Sequence, residues 1–231
     1  ASATGKVTVT GIGAGNNVAA VAIGHTITGG SSDDTFTLGA NYIGAEATVA
    51  SGTRDVINGG AGNDTINITF ARVDAADTTT QENLTSIEGL TISDAVTGAL
   101  DITKFSDVTA LTLNGYTGTA TTTVKSGTAV TLATDTGNGG VTLAVGGVST
   151  TDTLTLNMAG FDFDGATADA FSGIETLNIN TGSIVTNAAT FADVLTMTAS
   201  AGGTAGIVVT GANAMTFTGV VTAGSIDASA L

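Results

Sequence analysis

Cysteine, proline and tryptophan are missing from this 231-residue chain, and lysine plus arginine number only 5 against 20 aspartates and glutamates. Without cysteine there is no disulfide framework, no thiolate zinc site and no thiol redox chemistry. Stability must then come from packing, ladder hydrogen bonds or oxygen-coordinated metals. The formal net charge of -15 excludes nucleic acid and anionic membranes as partners, because both are bound through clustered cations. With His25 as the only histidine, neither a His-Glu-x-x-His zinc motif nor a facial triad can be assembled. Lys6, Arg54, Arg72, Lys104 and Lys125 are scattered, so the cationic cluster with which a polysaccharide lyase stabilises an enolate is missing too. The chain is expected not to be an enzyme. Its longest weakly polar runs, such as Val18 to Gly24, fall far short of the ~18–20 apolar residues of a membrane span, so no transmembrane segment is expected. Average usage would give about a dozen prolines. Proline removes a ladder donor, so its absence suits a backbone whose amides are nearly all paired in sheets.

What is present supports that reading. Hydrophobic residues make up 42% of the chain and the mean hydropathy is +0.38, enough to form a core. About one residue in five is threonine, whose branched side chain favours strands as those of valine and isoleucine do. Short alternations recur, as in Val7-Thr8-Val9-Thr10, Leu111-Thr112-Leu113, Val141-Thr142-Leu143, Leu154-Thr155-Leu156 and Leu177-Asn178-Ile179, each bounded by Gly, Asn, Asp or Ser. Laid against itself, the chain shows a register of about 21 residues. Leu84 to Ile92 falls on Phe105 to Leu113 with apolar on apolar throughout, and the motif returns at Phe171 to Ile179 and, more loosely, at Phe191 to Ala199. Upstream, the same offset carries Asp34 onto Asp55, Phe36 onto Ile57 and Ile66 onto Ile87. A fixed period with equivalent inward residues is what a solenoid needs, since each coil buries its face only against its neighbours. The expected fold is all-β, a right-handed parallel β-solenoid with coils of about 20–22 residues running through 1–231. The start at Ala1, without a leader, suggests a segment of a longer chain.

The sharpest chemical motif is Gly59-Gly60-Ala61-Gly62-Asn63-Asp64-Thr65-Ile66-Asn67, which fits Gly-Gly-x-Gly-x-Asp-x-apolar-x at every position. Nine residues earlier Asp55, Ile57 and Asn58 match Asp64, Ile66 and Asn67. Gly29-Gly30-Ser31-Ser32-Asp33-Asp34-Thr35-Phe36-Thr37 is a third copy with Ser32 in place of the third glycine. Glycines allow a tight turn with carbonyls pointing inward, the aspartate completes an oxygen cage, and the next residues form a strand. Oxygen-only ligands at a flexible turn suit calcium, and aspartate outnumbers glutamate four to one. Asn58 and Asn63 also read as plain turn formers.

These nonads, with the Ile-Glu-x-Leu segments Ile87-Glu88-Gly89-Leu90 and Ile174-Glu175-Thr176-Leu177 in Thr/Ala/Gly-rich surroundings, resemble the RTX calcium-binding β-roll proteins and specifically the RTX-type surface-layer (S-layer) proteins of Gram-negative bacteria. The resemblance implies an extracellular cell-surface protein, exported by a type I system, that folds on meeting Ca2+ and self-associates into a two-dimensional lattice. A cell-surface polysaccharide anchor would then lie outside this segment. The nonads occupy 27–70, and degenerate coils fill 71–231. Carried onto this chain, the ligands are Asp64 with the backbone carbonyls of Gly60 and Gly62. A β-roll holds its ions between turns stacked on one side, so Asp34 and Asp55 are expected to share a second site, with Asp33 close by.

Other acids sit at turn-like positions: Asp94, Asp101, Asp107, Asp135, Asp152, Asp162, Asp164, Asp169 and Asp193. Glu88 and Glu175 occupy one motif position in separate coils and read as solvent-facing or turn-capping residues rather than a general acid/base pair, whose groups lie within ~10 Å. The alternative function is a secreted RTX-type adhesin or an ice- or ligand-binding module. That reading asks for a flat Thr-x-Thr array, and pairs such as Thr35/Thr37 and Thr153/Thr155 exist without recurring at the 21-residue step. A leucine-rich-repeat protein is a third reading, because Leu-x-x-Ile-x-x-Leu-x-Ile is near that consensus.

Overall fold

A computed structural model describes residues 8–12, 26–38, 56–74, 84–117, 120–134, 140–159, 163, 167–183, 189–191 and 194–231. The chain divides into two compact units, one of 1–93 with 104–108 and one of 94–103 with 109–231.

The first unit contains β1 (Thr8–Ile12), β2 (Thr26–Thr28), β3 (Thr35–Leu38), β4 (Val56–Asn58), β5 (Thr65–Ile68), the short helix α1 (Phe70–Asp74), β6 (Leu84–Thr85) and β7 (Gly89–Ile92). β1, β3, β5 and β7 pair in parallel in that order, and β2, β4 and β6 form a second parallel sheet. The alternation in the sequence has a direct cause here. In β3 and β5 the apolar residues are buried and the alternate residues, Thr35, Thr37, Thr65 and Asn67, half-buried, because successive side chains of a strand point to opposite faces. Phe36 lies beside Ile66 and Ile66 beside Leu90, forming one inward column. On the outward side Thr8, Thr35 and Thr65 stand in register.

The second unit contains β8 (Leu100–Asp101), β9 (Ala110–Leu113), β10 (Thr121–Val124), β11 (Ala129–Leu132), β12 (Thr142–Val145), β13 (Thr153–Met158), β14 (Asp169–Ser172), β15 (Thr176–Asn180), β16 (Ala189–Phe191), β17 (Leu195–Thr198), β18 (Gly206–Thr210), β19 (Met215–Phe217), β20 (Val221–Thr222) and β21 (Ser225–Ala230). Two parallel sheets run through it, β9-β11-β13-β15-β18-β21 and β8-β10-β12-β14-β17-β20, with β16 and β19 as a separate pair. Leu111, Val130, Leu156, Ile179 and Val209 make a continuous buried column in the first sheet, and Leu143, Phe171 and Met197 make one in the second. Each such side chain contributes about 1.5–3 kcal/mol by burial. The architecture is a parallel β-solenoid, as expected. Among the described residues no helix is long and apolar enough to cross a membrane.

The coil length varies more widely than the expected 20–22 residues. Steps of 22 and 21 residues separate Leu100 from Thr122 and Thr121 from Thr142, but the step is 19 from Ala110 to Ala129 and 30 from Thr35 to Thr65. Ladder hydrogen bonds fix which strands stack and leave the corners free to vary, so a constant offset slips wherever a corner lengthens. The superposition of Asp34 on Asp55 and Phe36 on Ile57 is corrected accordingly: Phe36 pairs with Ile66, and Ile57 pairs with Ile27. Ile66 pairs with Leu90 rather than Ile87, and Phe171 pairs with Met197 rather than Phe191.

The Ile-Glu motif marks a tight corner. Ser86 (φ 52°) and Gly173 (φ 67°) take the same left-handed turn, the following Ile87 and Ile174 are buried, and Glu88 and Glu175 then reach backbone amides of the preceding coil. Turn-capping was the correct half of the expectation for these glutamates, since Glu175 is only 8% exposed. A side chain in the left-handed region costs about 1–2 kcal/mol. Ser86→Gly should therefore raise stability by about 0.5–1 kcal/mol after the extra chain entropy of glycine is deducted. Gly173→Ala, whose Cβ would stand 2.7 Å from the Val145 carbonyl oxygen, should lose at least the strain of about 1–3 kcal/mol. Urea denaturation of the two variants checks both directions.

Candidate metal centre

The Gly29–Asp34 and Gly59–Asp64 turns join β2 to β3 and β4 to β5, so the parallel pairing of those strands stacks one turn on the other. The stacking is by direct hydrogen bonds. Gly29 N–H donates to Asn58 O (2.8 Å), Ala61 N–H to Gly30 O (3.0 Å) and Thr65 N–H to Asp34 O (2.9 Å). Gly60 and Gly62 have φ of 102° and 129°, a conformation that side chains resist. Gly29 and Gly59 serve differently: a Cβ at either would lie 2.3 or 2.4 Å from Oδ2 of Asp34 or Asp64, so the carboxylates rest against bare backbone.

Those carboxylates form a ladder. Asp34 is 1% exposed; its Oδ2 accepts from Gly30 N–H (2.5 Å), and its own N–H donates to Asp64 Oδ1 (2.7 Å). Asp64 is 0% exposed and its N–H donates to Glu88 Oε2 (2.8 Å), while its carbonyl accepts from Glu88 N–H (3.0 Å) and Gly89 N–H (2.8 Å). Gly60 N–H is taken by Asn58 Oδ1 (2.9 Å), which gives Asn58 the turn-forming role. Asp64 Oδ2 is left buried with no hydrogen-bond partner. Burial pushes the Asp64 carboxyl above its ordinary value of 3.8, and the charges of Asp34, Glu88 and Asp33 add to the rise, against a lowering by the Asp34 amide.

Of the expected ligands, Asp34 and Asp64 thus come together in one corner. Asp33 stands exposed on the turn, where its Oδ1 accepts Asn63 N–H (2.8 Å). Gly60 and Gly62 sit at the rim. Asp55 lies outside the described residues, and the strand after it, β4, pairs with β2 and β6 and not with β3. Asp34 meets Asp64 through its own N–H, the two turns being stacked at a step of 30 residues. Glu88 is the member that sequence reasoning left out of the site. Its signal was the Ile-Glu pair itself, an acid placed directly before a strand as Asp34 and Asp64 are.

A buried carboxylate oxygen without a donor can take a proton or a cation. The chemistry of the donors suits a hard cation: Asp64 Oδ2 would supply one anionic oxygen, and a calcium ion would need the rest of its six to eight ligands from carbonyls, further carboxylates and water. Among the described residues no three acidic or histidine groups converge as a cage, so backbone carbonyls of the glycine turns and water would carry much of the coordination.

The raised Asp64 sets the sign of a pH effect. The folded state binds the proton more tightly than the unfolded one, so this stabilising contribution is full below about 3.8 and is lost as pH rises through the folded value. Metal-free wild type should lose stability across that window, and Asp64→Asn should flatten the loss. Calcium at a hundredfold excess over the Kd of this corner should stabilise wild type at neutral pH by about 2.7 kcal/mol more than it stabilises the variant. Thermal melts with and without calcium at several pH values check both. Comparison with protein-family models, curated proteins and solved structures finds no match to this chain.

Proposed function

We propose that this chain is a calcium-stabilised structural solenoid that self-associates into a surface-layer lattice on the bacterial cell exterior, without enzymatic activity. The observation that carries the reading is where the charge sits. In a chain of net charge -15, the outward positions of β9 to β15, β17 and β18 hold threonine, alanine, asparagine, serine, glycine and valine, while Asp152, Asp169 and Glu175 are drawn into the solenoid wall. Neutral faces let like-charged copies approach, and cations at the acidic corners offset part of the remaining repulsion. On this reading calcium is the folding staple, and type I export and a polysaccharide anchor belong to the same cell-surface setting.

One observation favours the ligand-binding or ice-binding alternative. Thr8, Thr35 and Thr65 stand in register on one face, and Thr153 stands beside Thr176, so threonine rows recur although the 21-residue step hides them. Thermal hysteresis of freezing by the purified chain would favour that alternative over a lattice.

For the leading reading, chelation of calcium should lower the melting temperature of the strand signal in circular dichroism and abolish the fast-sedimenting assemblies. Electron microscopy in calcium should show ordered sheets. A fold and a monomeric state indifferent to chelator would sink it.

A further inference from the structure

The corner at Asp64 has a counterpart in the second unit. Asp152 precedes β13 as Asp64 precedes β5, and it is 5% exposed. Its N–H donates to Glu175 Oε2 (2.8 Å), and its carbonyl accepts from Glu175 N–H (2.9 Å) and Thr176 N–H (3.1 Å). Asp64 makes the same set with Glu88 and Gly89. The second oxygen of Glu175 is turned to the following coil, where it accepts Ser200 N–H (2.7 Å). Asp152 Oδ2, like Asp64 Oδ2, is buried with no hydrogen-bond partner. The turn before it is a lengthened relative of the glycine turn. Gly146-Gly147-Val148-Ser149-Thr150-Thr151-Asp152 has one more residue than Gly59–Asp64, and Gly147, second in its turn as Gly60 is, has φ 125° beside 102°.

We infer that Asp152 and Glu175 form a second divalent-cation corner, with Asp152 Oδ2 as its anionic ligand and calcium as its ion. The inference rests on the calcium reading of the Asp64 corner. Its physical basis is a carboxylate oxygen buried in the wall without a hydrogen bond, on a residue whose backbone N–H and carbonyl are both held by the neighbouring coil. Calcium suits it because the groups at hand are hard oxygens and the turn that precedes it is long enough to offer carbonyls. The corner would carry calcium stabilisation into a region of the chain without any Gly-Gly-x-Gly-x-Asp nonad.

Equilibrium dialysis of the whole chain against radioactive calcium measures ions bound per chain for wild type, Asp64→Asn, Asp152→Asn and the double variant. The expected result is one ion lost in each single variant and two in the double. Wild-type stoichiometry in Asp152→Asn, with one ion lost in Asp64→Asn, overturns the second corner and leaves the first. The reverse pattern removes the first corner and keeps the second. An unchanged count in Asp152→Asn with greater stability at neutral pH shows a carboxylate without a cation at this corner and also overturns the inference. Should circular dichroism find Asp152→Asn unfolded, Glu175→Gln is read by the same rule, with loss of one ion expected and retention contradicting.

Discussion

A parallel solenoid has to satisfy, at every corner, the backbone amides that leave one strand ladder before the next begins. In this chain a carboxylate from the following coil does so where the corner is tightest: Asp64 for the amide of Asp34, Glu88 for that of Asp64, Glu175 for that of Asp152 and Asp169 for that of Val141. Hydrogen bonds to a charged acceptor are the strong ones, contributing about 1.5–3 kcal/mol each where a neutral bond contributes nearer 1. The arrangement also sets register, since a coil displaced by one residue would leave both amide and carboxylate buried and unpaired. Other features follow from it. The acids must be short or tightly backed, so glycines lie against Asp34 and Asp64, and a left-handed residue turns the chain at Ser86 and Gly173.

The same constraint sorts the charge. The outward positions of β9 to β15, β17 and β18 hold small neutral residues, partly linked along the stack, while Asp101 in β8 and Asp227 in β21 stay exposed. Asn180 Nδ2 donates to Asn157 Oδ1 (3.1 Å), and Asn157 Nδ2 reaches Thr131 Oγ1 (3.4 Å). A strongly acidic composition thus coexists with faces on which like-charged copies need not repel each other. Carboxylates concentrated at corners carry a liability of their own, because an oxygen such as Asp64 Oδ2 has no donor and must be neutralised by proton or cation.

The solenoid was legible in the sequence because burial leaves a period-two trace: Leu154-Thr155-Leu156 and Leu177-Asn178-Ile179 read as strands and are strands, paired in parallel. Coil length was legible only in part, since corners are free to gain or lose residues. Two stacked turns 30 residues apart therefore looked like members of a 21-residue series, and Asp34 was matched to Asp55 instead of Asp64. The glycine turns announced themselves through residue type. The Ile-Glu pair marked Glu88 and Glu175 without showing which amide they cap, and Asp152 looks in sequence like any acid before a strand. Only the register shows whose amide each glutamate meets.

On the proposal made above, the ladder of carboxylates holds successive coils together and leaves Asp64 with one oxygen for calcium. Carbon-13 NMR of the Asp64 carboxyl during a pH titration tests it most directly. The account predicts titration above the ordinary aspartate value of 3.8 in chelator and, in saturating calcium, a carboxyl that stays ionised to lower pH with a displaced chemical shift. A carboxyl that titrates identically in chelator and in calcium would contradict it.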